Sequence, residues 1–196
     1  MASTFILGSQ SPRRRELLEK LGFSFEVRES YAEEIPDNAL LPLEAVKDLA
    51  RQKAENFSRD YREKGLLTAD TIVSKDQEVL GKPSNFEEAK SMLDSLSADK
   101  HEVYSGCCFM QGGATELFAE RTVVQMRELR DWEKDFYIEN YKPYDKAGAY
   151  GIQEWLGMVG IERIEGSYFN VMGLPVSKVY EVLLKYLGEE ALQAKK

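Results

Sequence analysis

Asp70 stands inside an apolar run, Leu66 and Leu67 before it and Ile72 and Val73 after it. A carboxylate in a buried strand costs free energy unless it is paired or binds a cation. Asp70 is therefore either a site residue or a strand aspartate satisfied by backbone or a lysine. Near the start of the chain, Ser9, Ser11, Arg13 and Arg14 cluster around Pro12, where a short strand meets a helix. Free backbone N–H groups, two hydroxyls and guanidinium groups at a helix start make an anion site, or an ordinary capped helix with solvated arginines. Lys53 lies beside the apolar stripe of a later helix, where lysines snorkel to water or reach into a cleft. Lys82 is held between Gly81 and Pro83, in a defined turn or at a charged turn tip. Glu33 and Glu34 are a solvated pair or, folded beside Asp70, an oxygen-ligand site for magnesium. The segment Lys146 to Gln153 is dense in small residues, as where backbone approaches something closely, and Gln153 offers both a donor and acceptors.

Other chemistries fall away. His101 is the only histidine, and no G-x-S-x-G elbow exists for a serine triad. Cys107 and Cys108 are adjacent, which suits neither a mutual bridge nor a metal site. Neither G-x-x-x-x-G-K-[ST] nor G-x-G-x-x-G occurs. Carboxylates, cations and glycine-rich turns remain, an inventory that suits metal-assisted hydrolysis of a phosphorylated ligand. The formal net charge of −8 argues against stable nucleic-acid binding, so a polyphosphate would need its own local cluster of cations. No run approaches the roughly 20 apolar residues that span a bilayer. The absence of a targeting segment and of a disulfide framework favours the cytoplasm.

The elements that must position these residues follow from periodicity. Strands are expected at Thr4 to Leu7, Phe23 to Arg28, around Asp70, at Val79-Leu80, Glu102 to Met110, Leu117 to Met126 and Ile161 to Ile164. Asp76-Gln77 and Gly112-Gly113 supply turns. Helices are expected from Pro12 to Gly22, Pro42 to Phe57, Phe86 to Leu96, Trp132 to Asn140 and Val176 to Leu187. Gly166 to Pro175 reads as a second small-residue turn region, and Glu189 to Lys196 as a fraying tail. The class is α/β with a mixed sheet. With 196 residues, 43% hydrophobic and 31% charged, the chain suits one domain over residues 1–196, in two lobes around a cleft.

Read together, these pieces resemble a known family. Ser9-Gln10-Ser11-Pro12-Arg13-Arg14 followed by Glu16-Leu17-Leu18 resembles the N-terminal signature of the Maf family of nucleoside triphosphate pyrophosphatases. Gln52-Lys53-Ala54, Ala69-Asp70-Thr71, Gly81-Lys82-Pro83, Asp145 to Gln153 and Gly173-Leu174-Pro175 match in order, so the resemblance runs from about Ile6 to about Leu187. It implies an elongated, twisted mixed sheet with flanking helices, two lobes around a central cleft, related to the inosine triphosphatase type. It also implies a divalent cation (magnesium or manganese), commonly a homodimer, and release of pyrophosphate from a triphosphate. Asp70 matches the proton acceptor, with Lys53 and Lys82 beside it in the catalytic set. Glu34, with Glu33 next to it, matches the acidic metal position. Arg13, Thr71 and Gln153 are the positions the resemblance ties to base choice, and Asp70-Thr71 with Gly151-Ile152-Gln153 is similar to the subgroup acting on dTTP and UTP. Glu154-Trp155-Leu156 replaces the usual small-residue pair and bears on the rim of the base pocket. The alternatives are a same-fold enzyme for another nucleotide such as 7-methyl-GTP, or a nucleotide-binding regulator of cell division.

Overall fold

A computed structural model describes residues 5–29, 35, 37 and 39–192. Glu33 and Glu34 lie outside the described residues. The chain opens on β1 (Phe5–Gly8), which feeds α1 (Pro12–Leu21) through the serine loop. Pro12 sits in the first turn, where its missing N–H is not needed, and Gly22 closes the helix at φ 84. β2 (Phe25–Arg28) and α2 (Pro42–Glu55) follow. A short α3 (Arg59–Lys64), which the sequence reading left unassigned, buries no residue and so leaves no apolar stripe to find.

β3 (Leu66–Lys75) carries Asp70 at its middle, as expected, and turns through Asp76 and Gln77, at φ 51 and 69, into β4 (Glu78–Leu80). After α4 (Phe86–Leu96) come the two longest strands, β5 (Lys100–Gln111) and β6 (Ala114–Met126). Gly112 and Gly113, at φ 56 and 81, make the hairpin between them. α5 (Asp131–Tyr141) precedes a single 3₁₀ turn at Ala147–Ala149. Then come α6 (Trp155–Gly160), β7 (Ile161–Glu165), α7 (Tyr168–Val171) and α8 (Val176–Leu187). The sequence assigns no element to residues 155–160 and reads residues 168–171 as part of a turn region; at six and four residues α6 and α7 are too short to declare a helical period.

Among the described residues the seven strands form one mixed sheet in the order β2-β1-β3-β5-β6-β7, with β4 paired to β3. β1 runs parallel to both β2 and β3, whereas β4 and β7 are antiparallel to their neighbours. The chain divides into two compact units. The first holds residues 1–70, 105–120 and 173–196, the second residues 71–104 and 121–172, so the boundary falls between Asp70 and Thr71.

In the first unit, alternate residues of β1 serve opposite faces of the sheet. Ile6 joins Ala50, Ala54 and Phe57 together with Leu66, Cys108 and Met110. Phe5 meets Phe109, whose ring lies 5.2 Å from that of Tyr186 on α8. α2 lies unusually close to β5: a Cβ on Gly106 would stand 2.4 Å from the carbonyl oxygen of Val46, so only glycine permits the approach. In the second unit, Val73, Val103 and Val124 form a core packed by Leu80, Ala147, Ile161 and Val171. Cys107 and Cys108 are buried free thiols, pushed up to about 12 by loss of solvent. No helix among the described residues is long and apolar enough to cross a membrane.

Candidate active site

The first unit assembles the serine loop, Lys53 and Asp70. Gly8 is a steric requirement, since a Cβ there would lie 2.8 Å from both the Phe57 ring and the Thr68 methyl. Just beyond it, Ser9 Oγ accepts from the Ser11 N–H at 3.2 Å and from Arg14 Nη1 at 3.3 Å. Ser11 caps α1, its Oγ accepting from the Arg14 N–H at 3.4 Å. Both serine oxygens thus accept from within the loop, which leaves each O–H hydrogen to donate to a ligand.

The three arginines that look alike in sequence have different surroundings. Arg15 pairs with Glu19 at 2.9 Å and is exposed. Arg13 is half-buried at the helix start. Arg14 is buried: its Nε donates to the Gly173 carbonyl at 2.8 Å and its Nη1 to the Ala69 carbonyl at 2.8 Å. Burial lowers its pKa and the nearby Asp70 opposes that shift; a guanidinium remains charged regardless. Arg14, a substrate-ligand candidate by sequence, also ties the serine loop, the residue before Asp70 and the Gly173 turn together.

Asp70 Oδ1 accepts from Lys53 Nζ at 3.0 Å, and the two side chains are 22% and 21% exposed. The pair is partly desolvated yet open on one side, which strengthens its electrostatics without sealing it from a ligand. α2 delivers Lys53 because the same helix buries Val46, Leu49, Ala50 and Ala54 and so turns its Lys53 edge toward β3. Among the described residues no group of three or more histidine, cysteine or acidic side chains could hold a metal. Asp70 offers one carboxylate there. That donor set fits magnesium of the kind held by one or two carboxylates plus substrate phosphates.

The second unit holds the remaining sequence candidates. Thr71 is half-buried on β3. Lys82 is exposed and makes no ion pair with a described residue. Its turn is fixed by the Gly148 N–H, which donates to the Gly81 carbonyl at 3.1 Å. Gly148 itself is at φ +70, with a Cβ position 3.1 Å from Val73, so a side chain there is excluded twice over. Gln153 is half-buried, and its Oε1 is buried with no hydrogen-bond partner among the described residues. A buried acceptor left open in a folded protein calls for an explanation, and a ligand provides one.

Around Gln153 the structure reveals residues that the sequence reading did not single out. Lys146, 8% exposed, reaches Glu154 Oε1 at 3.1 Å and Asp145 Oδ1 at 2.7 Å. Tyr137, fully buried, bonds Glu154 Oε2 through its hydroxyl and accepts the Gly151 N–H at 3.0 Å. Burial and the Glu154 carboxylate both raise the Tyr137 pKa. Glu154-Trp155-Leu156 opens α6: Leu156 is buried and the Trp155 ring lies 4.9 Å from that of Phe136. A tyrosine beside the buried Glu133, Lys134 and Ile138 of α5 gives no signal of this partnership. His101 and Tyr150 are also buried, joined by a 2.7 Å hydrogen bond.

Comparison with known proteins agrees with the motifs. The profile described as Maf-like protein matches residues 4–186. A dTTP/UTP pyrophosphatase of Flavobacterium psychrophilum is 46% identical over 182 residues, covering 92% of this chain and 93% of its own. That of Flavobacterium johnsoniae is 47% identical over 179 residues, covering 91% and 92%. That of Porphyromonas gingivalis is 47% identical over 193 residues, covering 94% of each. The structure of the Staphylococcus aureus Ham1 protein aligns over 63% of this chain and 71% of its own at 8% identity and a TM-score of 0.42.

Proposed function

This chain belongs to the Maf family, and from that premise we propose that it hydrolyses dTTP and UTP to the monophosphate and pyrophosphate. The observation that carries the reading is the Lys53–Asp70 pair, set beside a serine loop with outward-donating hydroxyls and held in place by buried Arg14.

A triphosphate bears about four negative charges, and these repel a hydroxide-like nucleophile. Arg13, Lys82 and the Ser9 and Ser11 hydroxyls hold phosphate oxygens and offset that repulsion. Lys53 occupies Asp70 Oδ1 and leaves the second carboxylate oxygen to take a proton from water. The new bond forms between the water oxygen and the α-phosphorus; the bond from the α-phosphorus to the bridging oxygen breaks, and that oxygen leaves with pyrophosphate. Asp70 with Glu34 or its neighbour Glu33 would hold a divalent cation, magnesium or manganese, which would supply neutralisation of charge at the phosphate oxygens. Thr71 and Gln153 meet the edge of the base, and a site built on such hydrogen bonds rejects bases that leave them unpaired. Arg14 acts on the reaction through Asp70, by fixing the carbonyl of the preceding residue. The protein works in the cytoplasm as a homodimer, which light scattering at micromolar concentration would check.

The deciding experiment compares turnover of dTTP, UTP, CTP and 7-methyl-GTP with pyrophosphate detection, with and without magnesium. Preference for dTTP and UTP is expected. Turnover confined to 7-methyl-GTP, or phosphate released in place of pyrophosphate, overturns the reading.

A further inference from the structure

Gln153 is flanked by two fastened points, and both meet at the Tyr137 hydroxyl. On one side the Gly151 N–H donates to the Tyr137 hydroxyl at 3.0 Å; on the other, Glu154 closes on that same hydroxyl through Oε2. Glu154 Oε1 is held in turn by Lys146 Nζ at 3.1 Å. Tyr137 is 0% and Lys146 8% exposed, while the Glu154 side chain keeps 21%, so most of the network is shielded from competing water. Gly151 has no room for a side chain, since a Cβ there would lie 2.8 Å from the Glu154 carboxyl carbon. Between these points sits the one side chain of the loop with an open buried acceptor, Gln153 Oε1.

The chemistry of pyrimidines gives the orientation of that amide a meaning. Uracil and thymine present a carbonyl beside an N–H; cytosine presents an amino group beside a bare ring nitrogen. An amide held one way donates to the carbonyl and accepts from the N–H. Turned over, it suits cytosine equally well. A glutamine free to flip therefore binds both bases and selects neither.

We propose that Glu154 is a positioning residue for base choice: through Tyr137 and Lys146 it locks the loop so that Gln153 presents a single amide orientation to the base. This rests on the pyrimidine triphosphate reading above. Glu154 need not touch the substrate, and its effect falls on discrimination and not on the chemical step.

The test uses the full chain with Glu154→Ala, Glu154→Gln and Tyr137→Phe, reading kcat and KM for UTP and CTP together with hydrogen exchange at the Gly151 amide. Glu154→Ala is expected to lower the ratio of kcat/KM for UTP over CTP about tenfold, the size of a lost base-edge discrimination. The change enters through KM for UTP, while kcat stays within about threefold. Glu154→Gln keeps a partner for Tyr137 and restores most of the ratio. Tyr137→Phe deprives the Gly151 N–H of its acceptor and speeds its exchange. An unchanged UTP-to-CTP ratio in a folded Glu154→Ala, or a fall in kcat equal for both bases, overturns the proposal. If Glu154→Ala does not fold, an unchanged ratio in Tyr137→Phe overturns it instead. Wild-type protein that turns over no pyrimidine triphosphate refutes the function and not this inference; the same ratio is then read from binding of UTP and CTP, and equal binding before and after substitution overturns it.

Discussion

Each unit of this protein contains a lysine–carboxylate pair of nearly the same length, Lys53–Asp70 at 3.0 Å and Lys146–Glu154 at 3.1 Å. They are built for different ends. Lys53 and Asp70 are each about one-fifth exposed, and the second oxygen of Asp70 takes no hydrogen bond from a described residue. Lys146 is 9% exposed at its side chain and Glu154 21%, much as Asp70 is, but both oxygens of Glu154 are taken, one by the lysine and one by buried Tyr137. Length alone therefore says little about an ion pair. The fate of the second carboxylate oxygen decides whether the acid is poised to react or serves to hold backbone in place.

Substitutions should separate the two kinds of residue. The largest effect is expected from Asp70→Asn, which keeps the shape and removes the base: kcat should fall by about 10²–10⁴-fold with the melting temperature nearly unchanged. Steady-state turnover and a thermal melt check both halves, and a variant that loses activity by unfolding would erase the contrast drawn here. Arg14→Ala should do the reverse of a substrate-ligand change, costing stability first. Two buried carbonyls and a hydroxyl lose their donor, so urea unfolding should show a loss of about 3–5 kcal/mol. Arg14→Lys should not rescue it, because an ammonium cannot span Ser9, Ala69 and Gly173 as the planar fork does.

The second unit carries a pH-dependent weakness of its own. Burial, with the Lys75 charge adding to it, lowers the His101 pKa to about 4, from 6.5 when unfolded. Below pH 6.5 the unfolded chain takes up a proton that the native chain refuses, so the contribution of His101 is fully present above 6.5. It is lost as pH falls to about 4, and amounts to about 3 kcal/mol in all. Urea unfolding at pH 7 and pH 4 should show that loss in the wild type and less of it in His101→Gln. The smallest effect is expected at Cys107 and Cys108. Buried and held protonated, they should resist alkylation in the native state and react only after unfolding, as mass spectrometry would show.

Much of this was legible before the structure, for reasons of length and period. β3 declares itself by an apolar run that Asp70 interrupts, α2 by its buried face, and the hairpin by Gly112-Gly113. α3, α6 and α7 did not, because a helix of one or two turns carries no usable repeat. The ordered motifs led to Asp70, Lys53 and the serine loop, and the structure brings these together. What sequence could not sort was direction. Arg13, Arg14 and Arg15 are alike as letters, and only the fold turns Arg14 inward. Tyr137 and Glu154 are separated by α5 and a loop, and their partnership has no local signature.

Gly106 gives the comparison a mechanical reading. The missing methyl at that position lets α2 ride low over the sheet at Val46, and two turns further along the same rod sits Lys53. The height of the helix thus sets how far the ammonium must stretch to touch Asp70. A residue with no chemistry, remote in sequence from both partners, acts as the spacer that gauges the Lys53–Asp70 pair; a larger side chain there would lift the rod and detune the contact without altering either of the groups that make it.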